Sequence, residues 1–271
     1  MNLGVFVTFD QNVAEKIKSV RDMGFSSCQL SAWDHALFTD EMAEKIVKAT
    51  EEYDVKISTF WCGWSLPAVW DFYEGPITLG LVPMDYRKER MNQLMQGSDF
   101  AKKIKVENMA THVGFLPENP NTMEYHSLVC ALRTVAARCE KNGQYFMFET
   151  GQETPVTLKR TIQDIGLKNL GINLDTANLI LYGKANPIDA LTVFGEYVRD
   201  THMKDGKFPT DGRNLGEEVP IGQGEVNFPR LIEKLREVGY DGPLTIEREI
   251  SGEDQIRDIL AAKTYLEGLI K

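Results

Sequence analysis

The sequence predicts an α/β fold, a single (β/α)8 TIM barrel, and two observations support this prediction. Short apolar runs alternate with longer amphipathic runs along the chain, a pattern typical of strand–helix units around a parallel sheet. Eight such units occur in 271 residues, close to the roughly 250 residues of a typical barrel. An open doubly wound sheet is the alternative, but no glycine-rich turn opens the first helix as dinucleotide binding requires.

Each unit combines a short apolar run with a segment that carries apolar residues at helical spacing. The strands are predicted at Leu3–Phe9, Ser26–Ser31, Val55–Trp61, Asn108–Val113, Tyr145–Glu149, Gly171–Asp175, Tyr197–Lys204 and Leu244–Arg248. The helices that follow them are predicted at Asn12–Met23, Asp40–Tyr53, Arg87–Ile104, Met123–Asn142, Thr154–Ile165, Pro187–Phe194, Phe228–Val238 and Glu253–Leu269.

Composition limits the domain count and the classes of function. The chain is 42% hydrophobic and has no Pro/Gly/Ser-rich linker, so residues 1–271 are expected to form one domain. The net charge of -10 argues against nucleic-acid binding, which requires clustered Lys and Arg. No apolar run approaches the roughly 20 residues of a membrane span, and the amino terminus enters a strand directly. We therefore expect a cytoplasmic protein without membrane or nucleic-acid partners.

Acidic or imidazole residues stand at the ends of four successive predicted strands. They are Glu149, Asp175, His202 and Glu247. The first two gaps, of 26 and 27 residues, match one strand–helix unit of roughly 30 residues. The third gap, of 45 residues, contains a glycine-rich stretch at 206–224 that predicts a long loop before a helix near Asn227. Because barrel sites are built at the carboxyl ends of the strands, these four side chains are expected to converge.

Two Glu, one Asp and one His form a nitrogen and oxygen ligand set suited to one divalent metal ion. Mn²⁺ is the expected ion, and Zn²⁺, Co²⁺ and Mg²⁺ are also compatible with these ligands. Each residue alone would more often be a solvated or ion-paired side chain. Their shared position favours the metal site, because buried carboxylates are costly without a compensating charge.

Five segments of the chain resemble the xylose isomerase-like barrel family of sugar and sugar-phosphate isomerases and epimerases. They are Phe148–Glu149, Leu174–Thr176, Thr201–Asp205, Ile221–Phe228 and Gly239–Glu247. The resemblance implies that Glu149, Asp175, His202 and Glu247 hold the metal, and that the two glutamates also move the substrate proton. The family includes inosose isomerases and dehydratases, keto-sugar epimerases and metal-dependent apurinic endonucleases, so the substrate stays open.

One position departs from the family pattern. The endonucleases and many ketose epimerases carry a histidine three residues after the aspartate of the sixth strand, where this chain has Asn178. The chain contains only four histidines, too few for the zinc cluster of the endonucleases. The substitution also weakens an assignment to a familiar ketose epimerase, and Asn178 is expected to hydrogen-bond a sugar hydroxyl.

Five further residues are candidates for substrate binding. His112 follows the fourth strand, where the alternative is a hydrogen-bonded core histidine. Trp61 and Trp64 offer rings on which the C–H faces of a sugar can pack, or else they belong to the core. Lys204 and Arg213 are candidates for hydroxyl or phosphate contacts, the alternatives being a Lys204–Asp205 ion pair and a solvated charge for Arg213.

The sequence thus predicts a divalent-metal-dependent isomerase or epimerase of a small keto-sugar, sugar phosphate or cyclitol, acting through a metal-stabilised enediolate. Glu149 and Glu247 are the expected proton carriers. A dehydratase or lyase is the alternative, because the same enolate can expel a neighbouring group, and an inactive sugar-binding barrel is a third. The sequence leaves open the phosphorylation state of the substrate, the native metal and whether the chain forms a homo-oligomer.

Overall fold

Eight parallel strands close into a barrel in the computed structural model, which describes residues 1–271. The chain forms ten strands in all, which are β1 (Asn2–Thr8), β2 (Ser27–Ala32), β3 (Lys56–Cys62), β4 (Asn108–Thr111), β5 (Tyr145–Glu149), β6 (Leu170–Asp175), β7 (Val198–Met203), β8 (Asp205–Gly206), β9 (Glu218–Val219) and β10 (Pro243–Ile246). The hydrogen-bonded order around the barrel is β1-β10-β7-β6-β5-β4-β3-β2, whereas β8 and β9 form a separate antiparallel hairpin. The predicted barrel is confirmed, and the open sheet is wrong.

Helices connect the barrel strands, and several begin at a side-chain cap. They are α1 (Val13–Asp22), α2 (Asp40–Tyr53), α3 (Gly75–Thr78), α4 (Met84–Lys103), α5 (Met123–Lys141), α6 (Pro155–Ile165), α7 (Asn178–Leu181), α8 (Pro187–Phe194), α9 (Phe228–Glu237) and α10 (Glu253–Ile270). Thr39, Thr122, Thr154, Asn186 and Asn227 each accept a backbone N–H of the helix that follows. No helix combines the length and the apolar character that a membrane span requires.

The alternation of side chains along β5 shows how the strands divide the interior. Phe146 and Phe148 belong to the main apolar core between the strands and the surrounding helices. Met147 packs instead with Trp61 and Ala110 in a separate cluster inside the barrel. Because successive side chains of a strand point to opposite faces, Glu149 shares the inner face with Met147. The strand therefore delivers a carboxylate to the barrel mouth.

The long connection from β7 to β10 is held by the carboxylate of Asp205. This carboxylate accepts four backbone N–H groups, from Gly206 (2.9 Å), Gly222 (2.9 Å), Gly224 (2.9 Å) and Val226 (3.1 Å). A Cβ on Gly224 would lie 2.2 Å from Asp205 Oδ1, so only glycine allows this approach. The predicted long loop is present, and it includes the hairpin of β8 and β9, which the sequence did not predict.

Two short helices near the mouth of the barrel also escaped the sequence analysis. Helix α3 lies within the long loop between β3 and α4, and α7 follows β6 directly. Both contain four residues, too few to show helical periodicity. Strand β10 ends at Ile246, which places Glu247 just beyond the strand rather than inside it.

The buried side chain of Arg90 holds the loop between β3 and α4 in place. Its side chain is fully buried, and the guanidinium donates to the carbonyls of Ser65 (3.0 Å), Pro67 (2.8 Å), Thr78 (2.6 Å) and Gly80 (2.7 Å). Its central carbon also lies 4.0 Å from the centre of the Trp64 ring. One cation therefore satisfies several carbonyl groups that the irregular backbone of this loop leaves without partners.

Replacement of Arg90 by Met should lower the free energy of unfolding by about 3 kcal/mol or more, because buried carbonyls lose their donors. Urea denaturation would measure the change. Arg257→Met is the control, since Arg257 is exposed and pairs only with Asp254 and Asp258 at the surface. An Arg90→Met protein no less stable than the Arg257→Met protein would show that the loop does not depend on this cation.

Candidate metal centre and cavity

The four predicted metal ligands lie together at the carboxyl ends of adjacent strands. Glu149 ends β5, Asp175 ends β6, His202 lies in β7 and Glu247 follows β10. Asp175 and His202 are direct neighbours in the register of β6 and β7. One ligand atom from each of the four residues lies within 4.8 Å of the others, and all four residues are buried.

His202 stands at the centre of the three carboxylates. Its Nδ1 lies 3.1 Å from Glu149 Oε1, 3.2 Å from Glu247 Oε2 and 3.7 Å from Asp175 Oδ2. The single proton that Nδ1 can carry cannot satisfy three carboxylates at once. The donor set and its burial therefore fit a divalent metal ion, which all four residues would hold.

The pKa values at the centre reflect burial opposed by nearby charges. Burial lowers the pKa of His202, but Glu149 and Glu247 raise it more, so it lies well above its usual range. Burial raises the pKa of Glu149, but His202 and His112 lower it to a net value below normal. Burial also raises the pKa of Glu247, and Lys204 and His202 offset only part of this. The two glutamates therefore differ in their affinity for a proton.

Lys204 is the second cation of the centre. Its side chain is only 1% exposed, and Nζ lies 3.3 Å from Asp175 Oδ2, 3.2 Å from Glu247 Oε2 and 2.9 Å from Glu249 Oε1. Burial lowers its pKa, but these carboxylates raise it well above the usual range. The alternative of a surface Lys204–Asp205 ion pair is wrong, because Asp205 binds backbone N–H groups and Lys204 is buried.

Gln29 determines which nitrogen of His202 faces the carboxylates. Gln29 Nε2 donates to Asn173 Oδ1 (3.0 Å) and lies 3.4 Å from the carbonyl oxygen of Thr201, so Oε1 points the other way. That oxygen lies 2.9 Å from His202 Nε2 and accepts its proton. Asn173 Nδ2 lies 3.1 Å from the same nitrogen but donates to Glu149 Oε2 (3.4 Å), because two N–H groups cannot bond each other. The lone pair of neutral His202 is thus on Nδ1.

A cavity of about 530 Å³ opens above the centre. Glu149 and Glu247 line it, together with several aromatic and polar side chains. The other lining residues that matter here are Phe6, Trp33, Trp61, Trp70, His112, Asn178, Tyr182, Arg248 and Glu249. Its volume lies in the range of small-molecule sites, and aromatic rings beside polar groups suit the two kinds of surface that a sugar presents.

Three tryptophans form one side of the cavity. The ring centres of Trp33 and Trp61 lie 5.1 Å apart, and Trp70 lies 5.1 Å from the ring of His112. Trp61 is buried and its Nε1 donates to Glu149 Oε2, whereas Trp33 and Trp70 are 41% and 40% exposed. The three tryptophans therefore form a wall that runs from the metal centre to the mouth of the cavity.

The predicted substrate-binding residues do not all reach this cavity. Trp61, His112 and Asn178 line it, whereas Trp64 lies behind it, where its Nε1 donates to the carbonyl of His112 (3.2 Å). Arg213 lies in the exposed loop, 5.4 Å from the ring of Tyr73, and is not among the lining residues. Direct contact of any of these five residues with the substrate stays a prediction.

Several residues of the site escaped sequence analysis. Gln29 alternates in β2 with Cys28 and Leu30, and this alternation is a signal that its side chain faces the interior of the barrel. Trp33 and Tyr182 lie in connections whose path the sequence did not indicate. Glu249 lies two residues beyond Glu247, a spacing that gives both carboxylates access to one lysine.

Glu153 is a buried carboxyl group four positions after Glu149 in the chain. It is 2% exposed, and neither of its carboxyl oxygens has a hydrogen-bond partner. Burial raises its pKa to about 8, and the nearby backbone N–H groups of Glu153 and Gly151, which form no well-aligned hydrogen bond with it, offset only part of the effect. The group is therefore largely protonated at neutral pH, which avoids an unpaired buried charge.

Comparison with known proteins gives a consistent result. The family model for the xylose isomerase-like TIM barrel matches residues 17–267. The solved structure of a xylose isomerase domain protein from Planctomyces limnophilus is 33% identical, with a TM-score of 0.93, and the match covers 99% of this chain and 96% of that one. A D-tagatose 3-epimerase-like protein of solved structure has the same fold at 22% identity, with a TM-score of 0.76 and coverage of 99% and 98%.

A relative named for its activity matches a smaller part of the chain. Inosose dehydratase from Lacticaseibacillus casei is 25% identical over 166 residues, which are 53% of this chain and 54% of that protein. The chain spans 36% to 54% of the length of the curated relatives that it matches.

Replacement of Gln29 by Leu should weaken Mn²⁺ binding by about 10- to 100-fold, because the Nε2–H of His202 loses its acceptor. Gln29→Glu keeps an acceptor and should bind Mn²⁺ nearly as well as the wild type. Isothermal titration calorimetry at one pH would measure both affinities, with circular dichroism to check folding. Equal affinities for the Leu and wild-type proteins would refute this role of Gln29.

Glu153 predicts a pH-dependent stability. Its pKa is raised in the folded state, so between about pH 4.5 and pH 8 the folded chain keeps a proton that the unfolded chain has lost. The free energy of unfolding should fall as pH rises through this window, by up to about 1 kcal/mol per pH unit, and level off above it. Glu153→Gln should remove this fall. Urea denaturation at pH 5.5 and pH 8 would test it, and an equal fall in both proteins would contradict it.

Proposed function

We propose, for a chain that belongs to the xylose isomerase-like TIM barrel family, that it is a divalent-metal-dependent isomerase or epimerase of a small keto-sugar, sugar phosphate or cyclitol. One observation carries the proposal. Glu149 and Glu247 both line the cavity, and both are candidate ligands of the same metal centre. A carbonyl compound bound beside them would place its acidic C–H bonds within reach of two carboxylates.

The two glutamates supply the proton chemistry. One carboxylate removes the proton from the carbon beside the carbonyl, and the electron pair of the C–H bond moves toward the carbonyl oxygen. The same or the other glutamate then returns a proton, which in epimerisation adds to the opposite face of the same carbon. In isomerisation it adds to the former carbonyl carbon, while the hydroxyl proton of the neighbouring carbon passes to the enediolate oxygen and a new carbonyl forms there. A bound divalent ion would supply electrostatic stabilisation of the negative charge that develops on oxygen.

The surrounding residues hold these carboxylates in place. Trp61 donates to Glu149 Oε2, while Lys204 contacts Glu247 Oε2 at 3.2 Å. Glu149 and Glu247 come from strands separated by β6 and β7, so they approach the cavity from different directions. This separation supports a reaction in which removal and return of the proton occur on different faces of the substrate.

A dehydratase is the second candidate, because inosose dehydratase is among the relatives. Loss of water requires the same first proton transfer, after which a neighbouring hydroxyl leaves instead of a proton returning. The two candidates differ in their products. The metal-loaded protein should introduce deuterium from D₂O beside the carbonyl of recovered ketose or inosose if it is an isomerase or epimerase. A dehydrated product without labelled substrate would favour the dehydratase.

Glu247→Gln should lower turnover by about 100-fold or more, because an amide cannot accept the substrate proton. One amide oxygen remains available, so metal binding should be retained at least in part. Asp175→Asn is the matched comparison and should act mainly through weaker metal binding. Turnover would be measured at saturating Mn²⁺ alongside the metal affinity. Near-normal turnover of the Glu247→Gln protein with metal bound would rule out Glu247 as a proton carrier.

A further inference from the structure

We infer that the substrate of this site carries no negative charge, and that it is a neutral keto-sugar or cyclitol rather than a sugar phosphate or a sugar acid. The inference rests on the proposed function, because it concerns the substrate of the same cavity. It depends on the observation that the cationic side chains around the cavity are already paired with carboxylates of the protein.

Lys204 has no donor left for an anionic substrate. An ammonium group has three N–H donors, and four acceptors surround this one. They are the carboxylates of Asp175, Glu247 and Glu249 and the amide oxygen of Asn178, which lies 3.2 Å away. A phosphate would have to displace one of these acceptors from this nitrogen, and displacement of Asp175 or Glu247 would leave a buried charge without its partner.

Arg248 is the one lysine or arginine that lines the cavity, and two carboxylates neutralise it. Its Nη1 lies 2.7 Å from Glu218 Oε2, and its Nε lies 3.0 Å from Asp258 Oδ2. Its side chain is 13% exposed and both partners are 11% exposed, so these pairs are shielded from water. Two of the three guanidinium nitrogens therefore already face carboxylates of the protein itself.

The other features that commonly bind phosphate are also engaged. The glycine-rich turn at 222–224 directs its N–H groups at the Asp205 carboxylate, which fills the place an anion would take. His112 lines the cavity, and its Nε2 lies 3.4 Å from Glu149 Oε1, so its ring already faces a carboxylate of the protein. Arg213 lies outside the cavity lining.

The total charge around the cavity is negative. Six carboxylates, those of Glu149, Asp175, Glu218, Glu247, Glu249 and Asp258, surround the two cations Lys204 and Arg248. A bound divalent ion would leave a formal excess of two negative charges with His202 neutral. Glu249 is 57% exposed and lines the cavity, so an entering anion meets a carboxylate. The aromatic wall favours the uncharged C–H face of a polyol.

The test compares matched neutral and phosphorylated compounds. D-Fructose, D-fructose 6-phosphate and an inosose would be titrated into the Mn²⁺-loaded protein, with binding followed by the fluorescence of the tryptophans that line the cavity. D-Fructose or the inosose should bind at least about tenfold more tightly than D-fructose 6-phosphate. Added KCl should narrow this ratio, because salt screens the repulsion of the phosphate.

Glu249→Gln provides the matched variant. Removal of one negative charge should shift the ratio of the two dissociation constants toward the phosphate by about fivefold to tenfold. Tighter binding of D-fructose 6-phosphate to the wild type, an unchanged ratio in the variant, or binding of none of the neutral compounds would each overturn the inference. Deuterium uptake from D₂O is measured separately. Neutral binding without deuterium uptake would reject the proposed reaction and leave the charge preference standing.

Discussion

The repulsion among three buried carboxylates is the constraint on which the site depends. Glu149, Asp175 and Glu247 converge on His202 Nδ1 because β5, β6, β7 and β10 follow one another around the barrel and end at the same level. Buried charges of one sign are stable only beside a compensating cation. Lys204 supplies part of this compensation, and the chemistry of the ligand set suits a divalent ion, held with neutral His202, for the rest.

The residues around the ligand cluster orient the carboxylates and His202. Gln29 fixes the tautomer of His202, and the backbone N–H groups of Ala177 (2.9 Å) and Asn178 (2.7 Å) hold one oxygen of Asp175. Arg90 and Asp205 lie farther from the ligand cluster. Each forms hydrogen bonds with several backbone groups of a long loop beside the mouth of the barrel. Rigid strands thus position the carboxylates, while buried ionic side chains give the flanking loops their shape.

The sequence predicted the barrel and the convergence at its mouth, because both depend on regular features. The strand–helix rhythm is periodic, and the spacing of Glu149, Asp175 and His202 follows one unit of the fold. The remaining features arise from contacts between residues far apart in the chain. Gln29 and His202 are separated by 173 positions, so no local sequence pattern predicts their hydrogen bond. Arg213 shows the opposite failure, because its place in a glycine-rich loop suggested a substrate contact, yet its side chain does not line the cavity.

The most direct test of this account is the crystal structure of the protein soaked in Mn²⁺, with diffraction recorded at the manganese absorption edge. We expect one anomalous peak at the carboxyl ends of β5, β6, β7 and β10. Its ligands should be His202 Nδ1 and the carboxylates of Glu149, Asp175 and Glu247. A peak at another place, coordination through His202 Nε2, or no peak at these residues at saturating Mn²⁺ would contradict the account.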